Sequence, residues 1–426
     1  MVGLDLRRGS HVRRHRRYGY RHSSNPALGG ICRTVAGRLM RSPSTGTVED
    51  TSSALYFQPS RIGYPPVGML PVEGLRMNQP FNHEPVMANE VVDLLAPVPP
   101  GLVVDATLGG GGHAARILAA HQHLSLLGLD RDPAAITYAS QLLAPFGSRC
   151  IVRRSRFDAL VEVVSSMDDQ ESTAEGGSGL SGVLFDLGVS SPQLDRPDRG
   201  FSYRNDAVLD MRMDPESGTT AATLVNNLPV EELARLFAEN GEGRFARRLA
   251  TAVVAARPIA TTGELVEVVR DALPAAVRRQ GGHPARRVFQ ALRVAVNEEL
   301  EQLASVLPKA IDLLAPGGRC VVIAYHSGED RLVKAAFAKA ATGGCTCPPT
   351  LPCGCGAVPT GRLVFRGSMK PSTQEVAANR RSESARLRCL ERTEQPTAVE
   401  LSIEQSSADK EMGRRRRSNG SATRGY

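Results

Sequence analysis

The chain has 426 residues, 41% of them hydrophobic and 23% charged. That is more than one compact core holds, and its balance excludes a collagen, a disulfide-stapled mini-protein and a mostly disordered chain. The net charge of +8 sits at the ends: residues 1–41 carry ten Arg against Asp5 alone, and residues 410–426 carry Lys410, Arg414, Arg415, Arg416, Arg417 and Arg424 against Glu411, so the remainder is acidic. Any nucleic-acid affinity of the folded part must then come from local patches and not from its overall field.

Residues 1–76 are rich in Arg, Ser, Gly and Pro without a sustained period. They read as a basic disordered extension, or as sequence upstream of a working start near Met69 or Met77. A transit peptide and a basic RNA-contacting arm are the alternatives. From Asn82 the chain becomes regular. Apolar runs at 102–107, 124–130, 150–152 and 183–187 alternate with helical stretches at 113–121 and after Pro133. This spacing predicts a doubly wound α/β sheet of mostly parallel strands. Residues 168–182 are acidic and rich in Gly and Ser, and read as an inserted loop.

The alternation stops over 195–296, which reads as helices at 230–239, 243–256 and 264–273, the last opened by a Thr261–Glu264 capping box. A longer helix is predicted from about Pro284, with Phe289, Leu292, Val296, Leu300 and Leu303 on one face. Arg286, Gln290, Arg293 and Asn297 share a neighbouring face. Strands resume at 318–325, 362–365 and 385–390, and the chain beyond 395 is polar. The predicted organisation is an extension (1–76), a first sheet segment (77–194), a helical insertion (195–296), a second sheet segment (297–395) and a basic tail (396–426).

No apolar run of about 18 residues predicts a spanning helix, and no secretory segment stands behind the N-terminus, so the expected location is cytoplasmic, with reduced cysteines. Cys345, Cys347, Cys353 and Cys355 are grouped. They read as a loop of reduced thiols without a metal, Cys-x-Cys pairs being less typical of zinc than Cys-x2-Cys; a four-thiolate zinc knuckle is the alternative.

Asp105-Ala-Thr-Leu-Gly-Gly-Gly-Gly-His113 joins an apolar strand, a glycine loop and a helix start, an arrangement that lets backbone approach a nucleotide closely. Asp130 ends the next strand, where a carboxylate suits ribose hydroxyls. Gly109, Gly111 and Ala114 also satisfy G-x-G-x-x-A, so a nicotinamide or flavin site enters as an alternative. Asp186-Leu-Gly-Val-Ser-Ser-Pro-Gln193 sets an acid and a Pro loop at the edge of the sheet where ligands bind. Accepting hydrogen bonds there from an exocyclic amine localises the nitrogen lone pair for attack on a methyl group. The candidate acceptors are Asp186, the Ser191 hydroxyl and the carbonyls around Pro192.

Across residues 82–393 the chain resembles the ribosomal RNA small subunit methyltransferase H family. The resemblance rests on the two segments above together with His83-Glu-Pro-Val86, Leu129-Asp-Arg-Asp-Pro133, Arg199-Gly-Phe-Ser202 and Leu209-Asp-Met-Arg-Met-Asp-Pro215. It continues through His283-Pro-Ala-Arg-Arg-Val-Phe-Gln-Ala291, Asn297-Glu-Glu-Leu300 and His326-Ser-Gly-Glu-Asp-Arg331. It implies a class I methyltransferase with an inserted all-helical subdomain for substrate recognition. The implied reaction is S-adenosylmethionine-dependent methylation of a decoding-region cytosine at N4 in 16S ribosomal RNA of the small subunit. It further implies a cofactor site of Gly111, Gly112, His113, Asp130, Phe157, Asp186 and Gln193, and no general base is assigned.

No membrane partner is expected, and a homodimer is left open. Gly328 departs from the family's usual Leu, which suggests a looser loop after His326. Arg247 with Arg248, Arg278 with Arg279, and Arg286 with Arg287 are the candidate phosphate contacts. An RNA-binding assembly factor that has lost catalysis is the non-enzymatic alternative.

Overall fold

A computed structural model describes residues 84–167, 179–216, 218–279, 283–348 and 354–394. The expectations for 1–76, for the tail, for most of the 168–182 insertion, for Cys353 and for the Ser191 hydroxyl fall outside what is described. The chain divides into two compact units, Met1–Ser42 with Cys345–Gly356, and Pro43–Gly344 with Ala357–Tyr426. Everything in this and the next subsection belongs to the second.

Helix α1 (Ala88–Leu95) leads into β1 (Gly101–Asp105), and α2 (Gly112–Ala120) follows. Then come β2 (Leu124–Asp130), α3 (Pro133–Leu143), β3 (Cys150–Arg154), α4 (Leu160–Ser165) and β4 (Leu180–Asp186). Asp132 starts α3 sharply: its side chain accepts from the Ala134 N–H, and Pro133 takes the first helical position, where no N–H is needed. After β4 the chain stays helical through α5 (Ser191–Asp195), α6 (Ala221–Asn227), α7 (Val230–Phe237), α8 (Ala246–Ala255), α9 (Thr262–Ala272), α10 (Ala275–Arg278), α11 (Arg286–Asn297) and α12 (Glu299–Asp312). It returns to the sheet with β5 (Leu314–Ala324), α13 (Ser327–Thr342), β6 (Gly361–Leu363), α14 (Thr373–Ala378) and β7 (Arg386–Arg392).

The seven strands form one sheet in the order β3-β2-β1-β4-β5-β7-β6. β1 to β5 run parallel, while β7 pairs antiparallel with β5 and β6 with β7. β1 is buried along its whole length, as expected of a parallel strand covered on both faces. Alternate residues feed the two sides: Val103, Leu184, Val321 and Ile323 pack into one apolar core, and Val104, Val183, Phe185 and Val322 into the other. The order reverses between β1 and β4, and in open α/β sheets the crevice at such a reversal is where ligands bind. Asp105 and Asp186 end those two strands.

The helices between β4 and β5 bury a core of their own, including Leu233, Phe237, Leu249, Leu265, Phe289 and Leu292. The capping box at Thr261 and Glu264 is present. The single long helix predicted from Pro284 is corrected to two. Glu298 adopts φ 54°, which ends α11 and starts α12, and the break is held by Asn297. That side chain accepts from the Met213 N–H (2.8 Å) and donates to the Met211 carbonyl (2.8 Å), so the apolar periodicity runs on through a junction that hydrogen bonds to a distant segment interrupt.

Candidate active site

A cleft of about 2200 Å³ opens along the carboxyl ends of β1, β2, β4 and β5 and against the helical block. Its floor is the glycine loop. Gly109 (φ 51°) needs the left-handed region that glycine enters without cost. A Cβ on Gly112 would meet Pro85 at 2.6 Å, so only glycine lets α2 start this close to the segment before α1. Gly112 lines the cleft with Gly109 and Gly110, whereas Gly111 is buried, at φ 79°, and turned toward Ala139 and Leu143 of α3. Of the two, Gly112 is the one placed to face a ligand.

Asp130 closes the loop from the neighbouring strand. The Gly109 N–H donates to its Oδ2 (2.8 Å) and the Asp132 N–H to its Oδ1 (2.8 Å). Each oxygen keeps a further lone pair for a hydroxyl. Burial pushes this carboxyl up, against the pull of those two backbone donors. Phe157 lines the same region, edge-on to Phe185 at 6.1 Å, and offers an apolar face to a ring.

Asp186 stands where β4 leaves the sheet. Its Oδ1 accepts from the Tyr325 hydroxyl (2.8 Å), its Oδ2 lies 3.6 Å from His113 Nδ1, and its backbone N–H donates to the Thr107 hydroxyl (2.6 Å). Burial lifts the Asp186 carboxyl above its ordinary value, while His113 and the Tyr325 hydrogen bond pull it back. His113 Nε2 lies 3.0 Å from the Val86 carbonyl, which only accepts, so Nε2 carries the proton and Nδ1 is turned to Asp186. Asp105 lies behind these groups, almost wholly buried, and its carboxyl is pushed up to about 8 by burial, with Asp186 and Asp130 adding to the rise.

Gln193 is buried. It donates to Asp132 Oδ2 (3.1 Å) and accepts from the Ser190 N–H (3.0 Å), which ties the loop after β4 to the cap of α3. Arg199 joins the same Asp132 oxygen at 2.9 Å. Gln193 therefore braces the wall of the cleft as well as lining it. His326 caps α13: its Nδ1 accepts from the Gly328 and Glu329 N–H groups, and its Nε2 lies 3.0 Å from Glu329 Oε1. A side chain at 328 would meet the His326 ring at about 3.0 Å, so glycine there leaves the cap room.

The cleft thus brings together six of the seven residues singled out in the sequence and leaves Gly111 beside it. Tyr325 was missed, although it follows β5 two residues after Ile323, the register partner of Asp186, and the strand-end rule applied to β5 would have found it. Tyr203 and His283 were missed as a pair: their rings stack at 4.4 Å and 20° on the wall of the cleft, a contact that no sequence spacing reveals. Of the three arginine pairs only Arg286 lines the cleft. Arg204 and Arg380 join it there, and none of the three has a carboxylate partner among the described residues.

Residues 80–393 match the MraW methylase family. The chain is 48% identical over 321 residues to ribosomal RNA small subunit methyltransferase H of Heliobacterium modesticaldum, covering 73% of this chain and 99% of that protein. It is also 48% identical over 321 residues to the protein of that name from Thermobifida fusca, covering 74% and 94%. With the counterpart from Symbiobacterium thermophilum it shares 49% over 315 residues, covering 73% and 96%. The chain belongs to the MraW methylase family.

Proposed function

We propose that the chain transfers a methyl group from S-adenosylmethionine to the exocyclic N4 of one unpaired cytosine in the decoding region of 16S ribosomal RNA, within the small ribosomal subunit. The name shared by its relatives supports the coarser part of this reading, a small-subunit ribosomal RNA methyltransferase. The observation that carries the chemistry is Asp186, held between the Tyr325 hydroxyl and the His113 ring at the edge of a cleft beside a glycine loop.

The residues fit such a cofactor. Backbone at Gly109, Gly110 and Gly112 is open to the cleft, Asp130 has lone pairs to spare, and Phe157 supplies an aromatic wall. The volume also exceeds the roughly 300–1,000 Å³ of a small-molecule pocket, which leaves room for a nucleotide beside the cofactor. S-adenosylmethionine, when bound, supplies a methyl group on a positively charged sulfur. Asp186 accepts an N–H of the amine, which localises the nitrogen lone pair, and it takes up the proton the nitrogen releases. Holding the amine in line with the methyl group provides most of the remaining acceleration.

A paired cytosine hides its amine, so the base must be unpaired or flipped into the cleft. The stacked Tyr203–His283 pair offers it an aromatic face, and Arg204, Arg286 and Arg380 offer contacts to flanking phosphates. In this reading the helical segment 195–296 recognises substrate, while 77–194 and 297–395 build the methyltransferase sheet. The reaction belongs in the cytoplasm with the ribosome; among the described residues no helix is long and apolar enough to cross a membrane.

The test uses small subunits from cells lacking this protein, incubated with the full chain and methyl-labelled S-adenosylmethionine, then digested to nucleosides. Label on N4 of a cytidine at one decoding-region position is expected. Label on another atom or at another site overturns the assignment of target. No label, with S-adenosylmethionine bound, overturns the enzymatic reading in favour of an assembly factor.

A further inference from the structure

Outside the cleft, one cluster of side chains has ligand chemistry that methyl transfer does not use. The Sγ atoms of Cys345, Cys347 and Cys355 all lie within 4.8 Å of one another. We infer that these three thiols form a binding site for a structural zinc ion.

The distances carry the argument. A tetrahedral zinc ion with Zn–S bonds of about 2.3 Å separates its sulfurs by about 3.8 Å. Sulfurs no more than 4.8 Å apart reach that spacing with side-chain shifts of under about 1 Å. No disulfide joins any two of the three. A disulfide would also leave one sulfur of three over, whereas a zinc ion uses all of them. Cys345 and Cys347 are half-buried and Cys355 is exposed, so the set is open to an ion from solvent. The fourth position of the ion falls to a donor outside the three. Cys353 completes the second Cys-x-Cys pair in the sequence, but it lies outside the described residues and is not part of the proposed set.

Within the larger unit, the two chain segments that flank residues 345–356 in sequence are held together. Gly343 ends α13 at φ 61°, and a Cβ there would meet the backbone of Val358 at about 2.5 Å. The Thr360 N–H donates to the Ala340 carbonyl at 2.9 Å. The ends of the 345–356 loop are thus pinned, and much of the entropy of closing it is already lost when three thiols must converge. An ion bound there would hold the loop as a clip and would make its order depend on metal.

The decisive experiment is zinc analysis of the full chain, purified with reductant and without chelator, followed by removal of metal and titration with cobalt(II). About one zinc per chain is expected, along with the near-ultraviolet charge-transfer band and intense visible bands of a tetrahedral cobalt–thiolate centre. The C345S/C347S variant should fall below about a tenth of a zinc per chain, while C150S, outside the cluster, keeps its metal. Zinc retained by C345S/C347S overturns the assignment. So does wild-type protein with reduced thiols that carries no zinc and gives no cobalt–thiolate band, and that arm decides even where the double variant fails to fold.

Discussion

Asp186 gains its usefulness from conflicting neighbours. Burial lifts its carboxyl, and the Tyr325 hydroxyl and His113 pull it down, so the group stays a proton acceptor while surrounded by protein. Asp186→Asn keeps the shape and loses the acceptor; methyl transfer should fall about 10²- to 10⁴-fold in single-turnover assays, with subunit binding kept. Tyr325 is held as a donor, because burial and the Asp186 charge push its hydroxyl well above the ordinary value. Tyr325→Phe removes one of the pulls on Asp186. The carboxylate then forms only at higher pH, so the acid limb of the pH–rate profile should move upward, and a limb that stays in place or moves down would separate the two residues. Asp105 makes the opposite kind of prediction, about stability. Its folded value of about 8 stands above an ordinary 3.8. Below pH 4 both folded and unfolded chains hold the proton; as pH rises to 8 only the unfolded chain releases it readily, so stability is progressively lost. Asp105→Asn, which keeps an acceptor for the Thr107 N–H, should raise Tm at pH 8 and much less at pH 5. An equal gain at both values would show that the proton is not involved.

At the level of elements, the junction of α11 and α12 joins the helical block to the sheet. Asn297 is buried there and bonds the Met213 N–H and the Met211 and Arg293 carbonyls, while its own carbonyl accepts from Arg131 (3.2 Å). Asn297→Ala would leave those backbone groups without partners, which should cost about 2–4 kcal/mol in urea unfolding. The sequence carried the sheet well for a physical reason: β1, β2 and β4 are short apolar runs ended by acids, and burial on both faces demands such runs. The break at Glu298 was not legible, since the apolar period runs on through it and the left-handed turn depends on partners at 211–213, more than eighty residues earlier. The site divided in the same way. The strand-end acids and glycines announced themselves by position, whereas Tyr325, Gln193 as a brace and the Tyr203–His283 stack act through contacts between distant segments.

For the molecule as a whole, the acidic balance away from the ends sets a constraint on how RNA is held. A strong positive field over the folded part is not available, so attraction must be concentrated where the substrate enters. Other cleft arginines are already committed: Arg116 to Glu84, Arg156 to Asp158, Arg293 to Glu299 and Arg381 to Asp195. Arg204, Arg286 and Arg380 are the ones with charge to offer a phosphate. If each neutralises one phosphate of a single-stranded segment, the triple alanine variant should lower the slope of log affinity against log salt by about 2. KM for small subunits should rise while kcat changes little if, as proposed, these side chains hold the strand away from the reacting amine. Binding measured over a range of salt separates this from a structural defect, which lowers affinity at every ionic strength and leaves the slope unchanged. A slope equal to that of the unaltered chain would move the RNA path away from this cleft wall. The exposed arginine pairs at the start of α8 and at the end of α10 would then be the next to test.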